Sequence, residues 1–137
     1  MAKILVVEEE DVVRGLIRVV LQNGGHAVVE AGNGEAGWQL LQRGNVDAVI
    51  ADCMGRRSNG LVLLKQLRAE AATAQIPVIA LCGLGQAGAE AGLWANALVI
   101  KPFRPANLRM KVEAVLLSRT AAVQTLAGIQ VGIGPTC

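Results

Sequence analysis

Five short apolar runs, separated by segments with helical periodicity, constrain the fold of this 137-residue chain more than any other feature. The runs are rich in valine, isoleucine, leucine and alanine and mostly lack polar alternation. This pattern is typical of strands that are buried on both faces of a parallel sheet. The runs are ILVV at 4–7, AVV at 27–29, AVIA at 48–51, PVIAL at 77–81 and ALVI at 97–100.

Helical patterns fill the segments between these runs and the stretch after the last one. In each segment apolar residues recur three or four positions apart, except in a fourth segment that glycines weaken. The predicted helices begin near Val12, after the capping residue Asn33, after Gly60, near Gln86 and at Pro105. Strand followed by helix, five times, predicts a doubly wound α/β fold: a five-stranded parallel sheet with helices on both faces.

The composition places the chain among ordinary one-domain proteins. Hydrophobic residues make up 53% of it, which is enough for a sizeable core. No apolar run approaches the roughly 18 residues of a membrane span, and the N-terminus lacks a signal-peptide pattern. We therefore expect a cytoplasmic protein without membrane contact. Three cysteines at unrelated spacings and one histidine argue against a zinc site or a disulfide framework.

Charge is distributed unevenly along the chain. Residues 1–52 hold four basic and eight acidic residues, whereas residues 53–137 hold nine basic and three acidic ones. We interpret the basic excess as solvated helix faces rather than a nucleic-acid surface, because aromatic residues are scarce.

Residues 120–137 lie outside the repeating pattern, and we expect a tail or a truncated linker there. The alternation of Ile129, Val131 and Ile133 also suits a segment that packs on the domain or on another copy. A homodimer therefore stays open as an interpretation.

Polar residues follow several of the predicted strands at the point where each strand ends. Carboxyl ends of parallel strands share one edge of a sheet, which is where ligands bind in open α/β folds. The sequence therefore predicts one crevice that contains several acids, a thiol and an ammonium group. They are Glu8, Glu9 and Glu10 after the first run, Asp52 after the third, Cys82 after the fourth and Lys101 after the fifth.

These residue types suit phosphoryl chemistry. Crowded carboxylates need a counter-charge, which Lys101 and a hard cation such as Mg²⁺ can supply. A carboxylate such as Asp52 can attack phosphorus and form an acyl phosphate, while the cations neutralise the phosphoryl oxygens. The alternative is that the acids simply begin a helix, which is our interpretation for Glu10 and Asp11.

Four stretches together resemble the receiver domain of two-component response regulators, the CheY-like family. They are KILVVEEEDVVRGLI, DAVIADCMGRRSNGLVLLKQLR, IPVIALCGLG and VIKPF. The resemblance covers roughly residues 2–119, so the receiver domain is expected to occupy residues 1–119. It implies a flavodoxin-like strand order of 2-1-3-4-5, signalling rather than enzymatic activity, and Mg²⁺ as cofactor.

The resemblance also implies a role for each polar residue in the crevice. Asp52 matches the phosphoacceptor, Lys101 matches the lysine that pairs with the phosphoryl group, and Cys82 stands where a hydroxyl residue binds it. The implied Mg²⁺ ligands are Glu8, Glu9, Asp52 and the backbone carbonyl of Met54.

The chain departs from the family pattern at several of these positions. The acidic pair of the family is usually Asp-Asp or Glu-Asp, whereas both residues here are glutamates. Glu9 therefore has one methylene more than the usual aspartate, in a site with strict geometry. Cys82 offers only a weak S–H donor, and Leu98 replaces the usual aromatic residue. Arg56 or Arg57 beside the acceptor can reach a phosphoryl group, although two exposed loop arginines are the simpler interpretation.

Three functions are consistent with this pattern. The leading hypothesis is a receiver that a histidine kinase or phosphotransfer protein phosphorylates on Asp52, with output through altered contacts to a downstream protein. The second is a degenerate receiver that binds partners without phosphorylation, which the departures at Glu9, Cys82 and Leu98 favour.

An enzyme of similar architecture ranks below both, because a flavin phosphate would meet acids after the first strand. A redox role for Cys53 and Cys82 also ranks low, since nearby acids raise thiol pKa values.

Overall fold

The computed structural model describes residues 1–54, 59–83 and 85–128. Within these ranges five strands alternate with five helices, as predicted from the apolar runs. The strands are β1 (Lys3–Val7), β2 (Ala27–Ala31), β3 (Ala48–Asp52), β4 (Val78–Cys82) and β5 (Ala97–Ile100). The helices are α1 (Asp11–Asn23), α2 (Gly34–Gln42), α3 (Gly60–Ala69), α4 (Gln86–Ala91) and α5 (Pro105–Gly128).

The strands form one sheet in the order β2-β1-β3-β4-β5. Each neighbouring pair is parallel, and the registers align Val7 with Ala31 and Ala51, and Asp52 with Leu81. The carboxyl ends of the strands therefore meet at one edge. This confirms the predicted doubly wound, five-stranded parallel sheet and its order 2-1-3-4-5.

Two apolar layers lie on the two faces of the sheet, because side chains alternate along each strand. On one face, Ile4 and Val6 of β1 pack with Ile17 of α1 and with Leu108 and Val112 of α5. The opposite layer is formed by α2, α3 and α4. It includes Leu5, Val7, Leu41, Leu63, Leu67 and Ala91. Helices thus cover both faces, as predicted.

Burial on both faces holds for the central strands only. Every residue of β3 and β4 is buried, whereas β2 and β5 each contain half-buried and exposed residues. The reason is position, since β2 and β5 are the edge strands of the sheet. The apolar runs of the edge strands resemble those of the central strands, so the runs alone do not reveal this difference.

Local sequence signals mark the ends of two helices. The side chain of Asn33 accepts a hydrogen bond from the backbone N–H of Ala36, which confirms it as the cap of α2. Gly25, just beyond α1, has a φ of 88°, a conformation that favours glycine. Helix α4, which glycines were expected to weaken, has only six residues.

Helix α5 crosses the predicted end of the receiver domain at residue 119, because it continues to Gly128. The alternating segment at Ile129, Val131 and Ile133, and the loop arginines Arg56 and Arg57, lie outside the described residues. Among the residues that are described, no helix is both long and apolar enough to cross a membrane.

Arg68, near the end of α3, forms hydrogen bonds with the loops that precede β4 and β5. Its guanidinium donates hydrogen bonds to the carbonyl oxygens of Trp94 at 2.9 Å, Ala74 at 2.9 Å and Ile76 at 2.6 Å. A fourth bond, of 2.7 Å, goes to the side-chain oxygen of Asn96. Burial lowers the pKa of this guanidinium, yet it stays charged because an arginine pKa is far above neutral.

Replacing Arg68 with methionine should remove these four bonds and leave partly buried carbonyl groups without a donor. We expect the free energy of unfolding, measured by urea denaturation, to fall by about 2 kcal/mol. Lys65→Met is the matched control. Lys65 bonds Glu90 across an exposed surface at 3.1 Å, so its loss should cost less than about 1 kcal/mol. Equal losses in the two variants would contradict the structural role of Arg68.

Candidate functional site

Three charged residues reach the same face of the sheet because of strand periodicity. Glu8 lies two residues beyond Val6, Asp52 two beyond Ile50, and Lys101 two beyond Val99. The three apolar residues all belong to the layer beneath α1 and α5. Since side chains repeat every second residue along a strand, the charged groups follow onto that face at the shared edge.

Lys101 is the cation of this cluster. Its ammonium group donates a 2.9 Å hydrogen bond to Oε1 of Glu8. It also lies 3.7 Å from Oδ1 of Asp52 and 3.9 Å from Oε1 of Glu10. The predicted convergence of Glu8, Asp52 and Lys101 is therefore present in the fold.

Glu8 is a fully buried carboxylate with two partners. Besides the Lys101 ammonium, Oε2 of Glu8 accepts a 3.1 Å bond from the backbone N–H of Glu10. Burial raises the pKa of Glu8 because it penalises the charged form, although both partners act in the opposite direction. Burial alone would lower the pKa of Lys101, but the bond to Glu8 and the nearby acids raise it overall. The hydrogen bonds of Glu8 thus offset part of the effect of its burial.

Asp52 is nearly inaccessible and is held at the end of β3. Its residue is 1% exposed, and Oδ1 accepts a 2.9 Å hydrogen bond from the backbone N–H of Met54. Behind it, Gly60 begins α3 so close that a Cβ atom there would lie 2.0 Å from the carbonyl oxygen of Asp52. The Asn-Gly pair at 59–60 thus lets α3 approach the strand that carries the acid.

A pocket of about 560 Å³ opens beside these groups. Its charged end is formed by Glu9, Glu10, Asp52 and Lys101, so the pocket places Glu9 with the acid of β3. Its apolar wall consists of Val13, Leu16, Met54, Pro102 and Phe103. The thioether of Met54 also covers Gly83, where a Cβ atom would lie 2.9 Å from the Met54 methyl carbon.

Cys82 ends β4 at the same edge but is not among the described residues that line this pocket. It is fully buried, and a Cβ atom at Gly88 would lie 3.6 Å from its sulfur, so the thiol packs against α4. Burial raises the pKa of Cys82. The predicted contact of Cys82 with a phosphoryl group stays a prediction.

The residue types suit a hard cation in their chemistry, because the carboxylate residues Glu9, Glu10 and Asp52 line one pocket. Glu8 differs from them, since its two oxygens already bind Lys101 and a backbone N–H. In the described part of the chain, no three histidine, cysteine, aspartate or glutamate side chains are grouped as metal ligands. Of the predicted metal ligands, Glu9, Asp52 and Met54 line the pocket, and cation binding there stays a prediction.

Arg14 is a residue of this region that the sequence interpretation did not identify. Its guanidinium donates a 2.8 Å hydrogen bond to the backbone carbonyl of Glu8. One signal was present, because Arg14 lies four residues after Glu10 and thus on the α1 face above the end of β1. A single arginine on an amphipathic helix does not by itself reveal such a contact.

A sequence profile of the response regulator receiver domain matches residues 4–113. The match covers most of the chain and extends from β1 into the first half of α5. The chain belongs to this family, whose members are receiver domains of two-component response regulators. The resemblance inferred from the four sequence stretches is thereby confirmed.

Similar proteins include two longer regulators. The chain is 33% identical to the transcriptional regulatory protein ResD of Bacillus subtilis over 119 residues, which are 83% of this chain and 48% of ResD. It is 31% identical to the phosphate regulon transcriptional regulatory protein PhoB of Pseudomonas aeruginosa over 134 residues, 94% of this chain and 57% of PhoB. The chain thus spans about half the length of these relatives.

Solved structures share the fold. The Vibrio cholerae chemotaxis protein CheY4 matches with a TM-score of 0.77 at 24% identity, over 84% of this chain and 98% of CheY4. A response regulator receiver domain protein from Clostridium thermocellum matches with a TM-score of 0.79 at 23% identity, over 89% and 99% of the two chains. At these identities the likeness concerns the fold alone.

Lys101→Met should leave the Glu8 carboxylate buried without its cation. We expect the free energy of unfolding near neutral pH, measured by urea denaturation in a chelating buffer, to fall by about 3 kcal/mol. Lys101 lowers the pKa of Glu8, so its removal raises that pKa further and lets the buried carboxyl of the variant take up a proton as the pH falls. The loss should therefore shrink as the pH falls to about 5.

The double variant Glu8→Gln, Lys101→Met serves as the control for this prediction. Removing the buried charge together with its cation should recover most of the lost stability. An equal loss in the single and double variants near neutral pH would show that the ion pair is not the cause.

The thiol of Cys53 should be unreactive in the folded protein. Burial, the charge of Asp52 and neighbouring Cys82 raise the pKa of Cys53 to about 12. The thiolate fraction at about pH 8 should thus be about a thousandfold below that of an ordinary thiol. Iodoacetamide labelling, mapped by mass spectrometry, should modify Cys53 slowly in native protein and rapidly in urea. Fast native labelling would instead revive a redox role.

Proposed function

We propose that this receiver domain accepts a phosphoryl group on Asp52. The observation that carries the proposal is the placement of the Asp52 carboxylate in a pocket with the Lys101 ammonium 3.7 Å away. A carboxylate at such a position can act as a nucleophile, while a fixed cation stabilises the charge that develops on the phosphoryl oxygens.

In the proposed reaction an oxygen of Asp52 forms a bond to phosphorus. The bond from phosphorus to the donor breaks at the same centre, and the donor departs with the electron pair. The donor is an imidazole nitrogen of a phosphohistidine in a histidine kinase or phosphotransfer protein, or an acyl oxygen of acetyl phosphate. The product is an acyl phosphate on β3, next to Lys101.

Glu9 and Asp52 are the side chains that would hold Mg²⁺, together with the backbone carbonyl of Met54. When bound, Mg²⁺ supplies positive charge to the transferring phosphoryl oxygens. Lys101 contributes the charge of the chain itself, and Glu8 fixes its ammonium from the buried side at 2.9 Å.

The output of this domain is proposed to be an altered contact with another protein. Residues 1–119 would form the receiver unit, and residues 120–137 a tail or linker that begins within α5. ResD and PhoB are named transcriptional regulatory proteins, and the chain spans about half of each. We propose that the 137-residue chain itself contacts a kinase or phosphotransfer protein and a downstream protein partner, or a second copy, rather than nucleic acid.

A degenerate receiver is the second candidate, and the Glu8 contact favours it. Because Glu8 is fully buried and engaged by Lys101, one member of the usual acidic pair is occupied before any metal binds. In that case the fold would bind its partner without phosphorylation.

Incubation with acetyl phosphate and Mg²⁺ should add one phosphoryl group per chain, detected by mass spectrometry of the intact protein. Asp52→Asn should abolish this addition, because the amide is not a competent nucleophile. Asp47→Asn is the matched control at a carboxylate that bonds the backbone of Lys3 instead, and it should behave as the unmodified chain does. Phosphorylation that survives Asp52→Asn would overturn the assignment.

Glu9→Asp separates the two candidates. If the unmodified chain is not phosphorylated at saturating Mg²⁺ but Glu9→Asp is, the extra methylene has disabled the metal site and the degenerate receiver is correct. Equal phosphorylation of both chains would support the competent receiver.

A further inference from the structure

The guanidinium of Arg14 joins the start of α1 to the two strands beside it. Nη1 donates a 2.8 Å hydrogen bond to the backbone carbonyl of Glu8, and Nε donates a 3.2 Å bond to Oε1 of Glu30 on β2. Nη2 donates to the carboxylate of Asp11. The Arg14 side chain is only 20% exposed, and its bond to the Glu8 carbonyl is partly buried, so that bond competes less with water than an ordinary surface contact does.

The contact to Glu8 fixes the peptide that leads into the acidic loop. The N–H of Glu8 donates a 3.0 Å bond to the carbonyl of Ala31, which extends the β1–β2 ladder by one residue. Arg14 then binds the carbonyl on the other side of the same residue. Because the peptide unit is planar, holding this carbonyl also sets the direction in which the backbone enters Glu9.

The Glu30 carboxylate that bonds Arg14 also bonds a second arginine. Arg18 donates a 3.0 Å bond to Oε2 of Glu30, so the carboxylate bridges Arg18 and Arg14. The planar guanidinium presents several donors in a fixed fork, which a lysine ammonium cannot reproduce. The fork itself orients Arg14, because Nε bonds Glu30 while Nη1 bonds the Glu8 carbonyl, and Arg18 only adds a second bond to the same carboxylate.

We propose that Arg14 is a positioning residue that, by fixing the carbonyl of Glu8, orients the loop that follows and thereby Glu9 for cation binding at the Asp52 pocket. The inference deepens the proposed function and rests on it for its chemical consequence. Arg14 contacts no reacting group itself, and it acts through the carbonyl of Glu8 and the loop that follows.

The test compares Arg14→Met and Arg14→Lys with Arg18→Met, which removes the outer arginine but keeps the Arg14 bond to Glu8. Mg²⁺ alone is titrated while backbone amide shifts are followed by NMR. The apparent Kd for Mg²⁺ should rise about tenfold in Arg14→Met. Arg14→Lys should lie between this variant and the unmodified chain, and Arg18→Met should change the Kd by less than about twofold.

Amide hydrogen exchange on the same samples gives a readout that needs no metal. The N–H of Glu10 bonds the Glu8 carboxylate at 3.1 Å, so its exchange should accelerate about tenfold in Arg14→Met beyond any change in global stability. If Arg18→Met changes the exchange rate and the Mg²⁺ affinity as much as Arg14→Met does, Arg14 contributes to stability alone and the proposal is overturned. If the unmodified chain binds no Mg²⁺ and is not phosphorylated, the proposed function fails, and the exchange measurement still decides whether Arg14 orders the loop.

Discussion

The parallel register of β1, β3 and β5 is the constraint on which the candidate site depends. It brings three strand ends to one edge, and the two-residue period turns Glu8, Asp52 and Lys101 onto the same face. Two buried carboxylates at that edge would be costly without a cation. Lys101 offsets this cost because its ammonium contacts Glu8 at 2.9 Å and lies within 3.7 Å of Asp52.

The same arrangement explains why one lysine has two consequences. At rest it neutralises a fully buried glutamate, and in the proposed reaction it faces the charge that a phosphoryl group adds to Asp52. The charged end of the pocket contains three acids and one ammonium group. A further cation would therefore be favoured once a phosphoryl group arrives, which connects the electrostatics of this edge with the proposed need for Mg²⁺.

Much of the fold follows from the sequence because its signals are local. The apolar runs locate all five strands, Asn33 marks the start of α2, and Pro105 marks the start of α5. The parallel sheet then predicts that Asp52 and Lys101 meet at one edge. These inferences need only periodicity, capping and the topology of α/β folds.

Other features depend on tertiary distances that no local pattern encodes. The sequence does not show that Glu8 forms an ion pair with Lys101 while Glu9 lines the pocket, since adjacent glutamates look alike. Likewise, Arg14 and Arg68 look like ordinary helix-surface arginines until their carbonyl partners are known. Cys82 shares the strand-end position of the other site residues, but its sulfur packs against α4 because the side-chain alternation turns it to the opposite face.

The most direct test of the central claim is a crystal structure of the chain with Mg²⁺ and beryllofluoride, a phosphoryl analogue. The account predicts beryllofluoride on the Asp52 carboxylate, with the Lys101 ammonium in contact with its fluorine atoms. A structure in which Asp52 stays unmodified at saturating reagent, while Lys101 keeps its bond to Glu8, would contradict the proposed phosphoryl site.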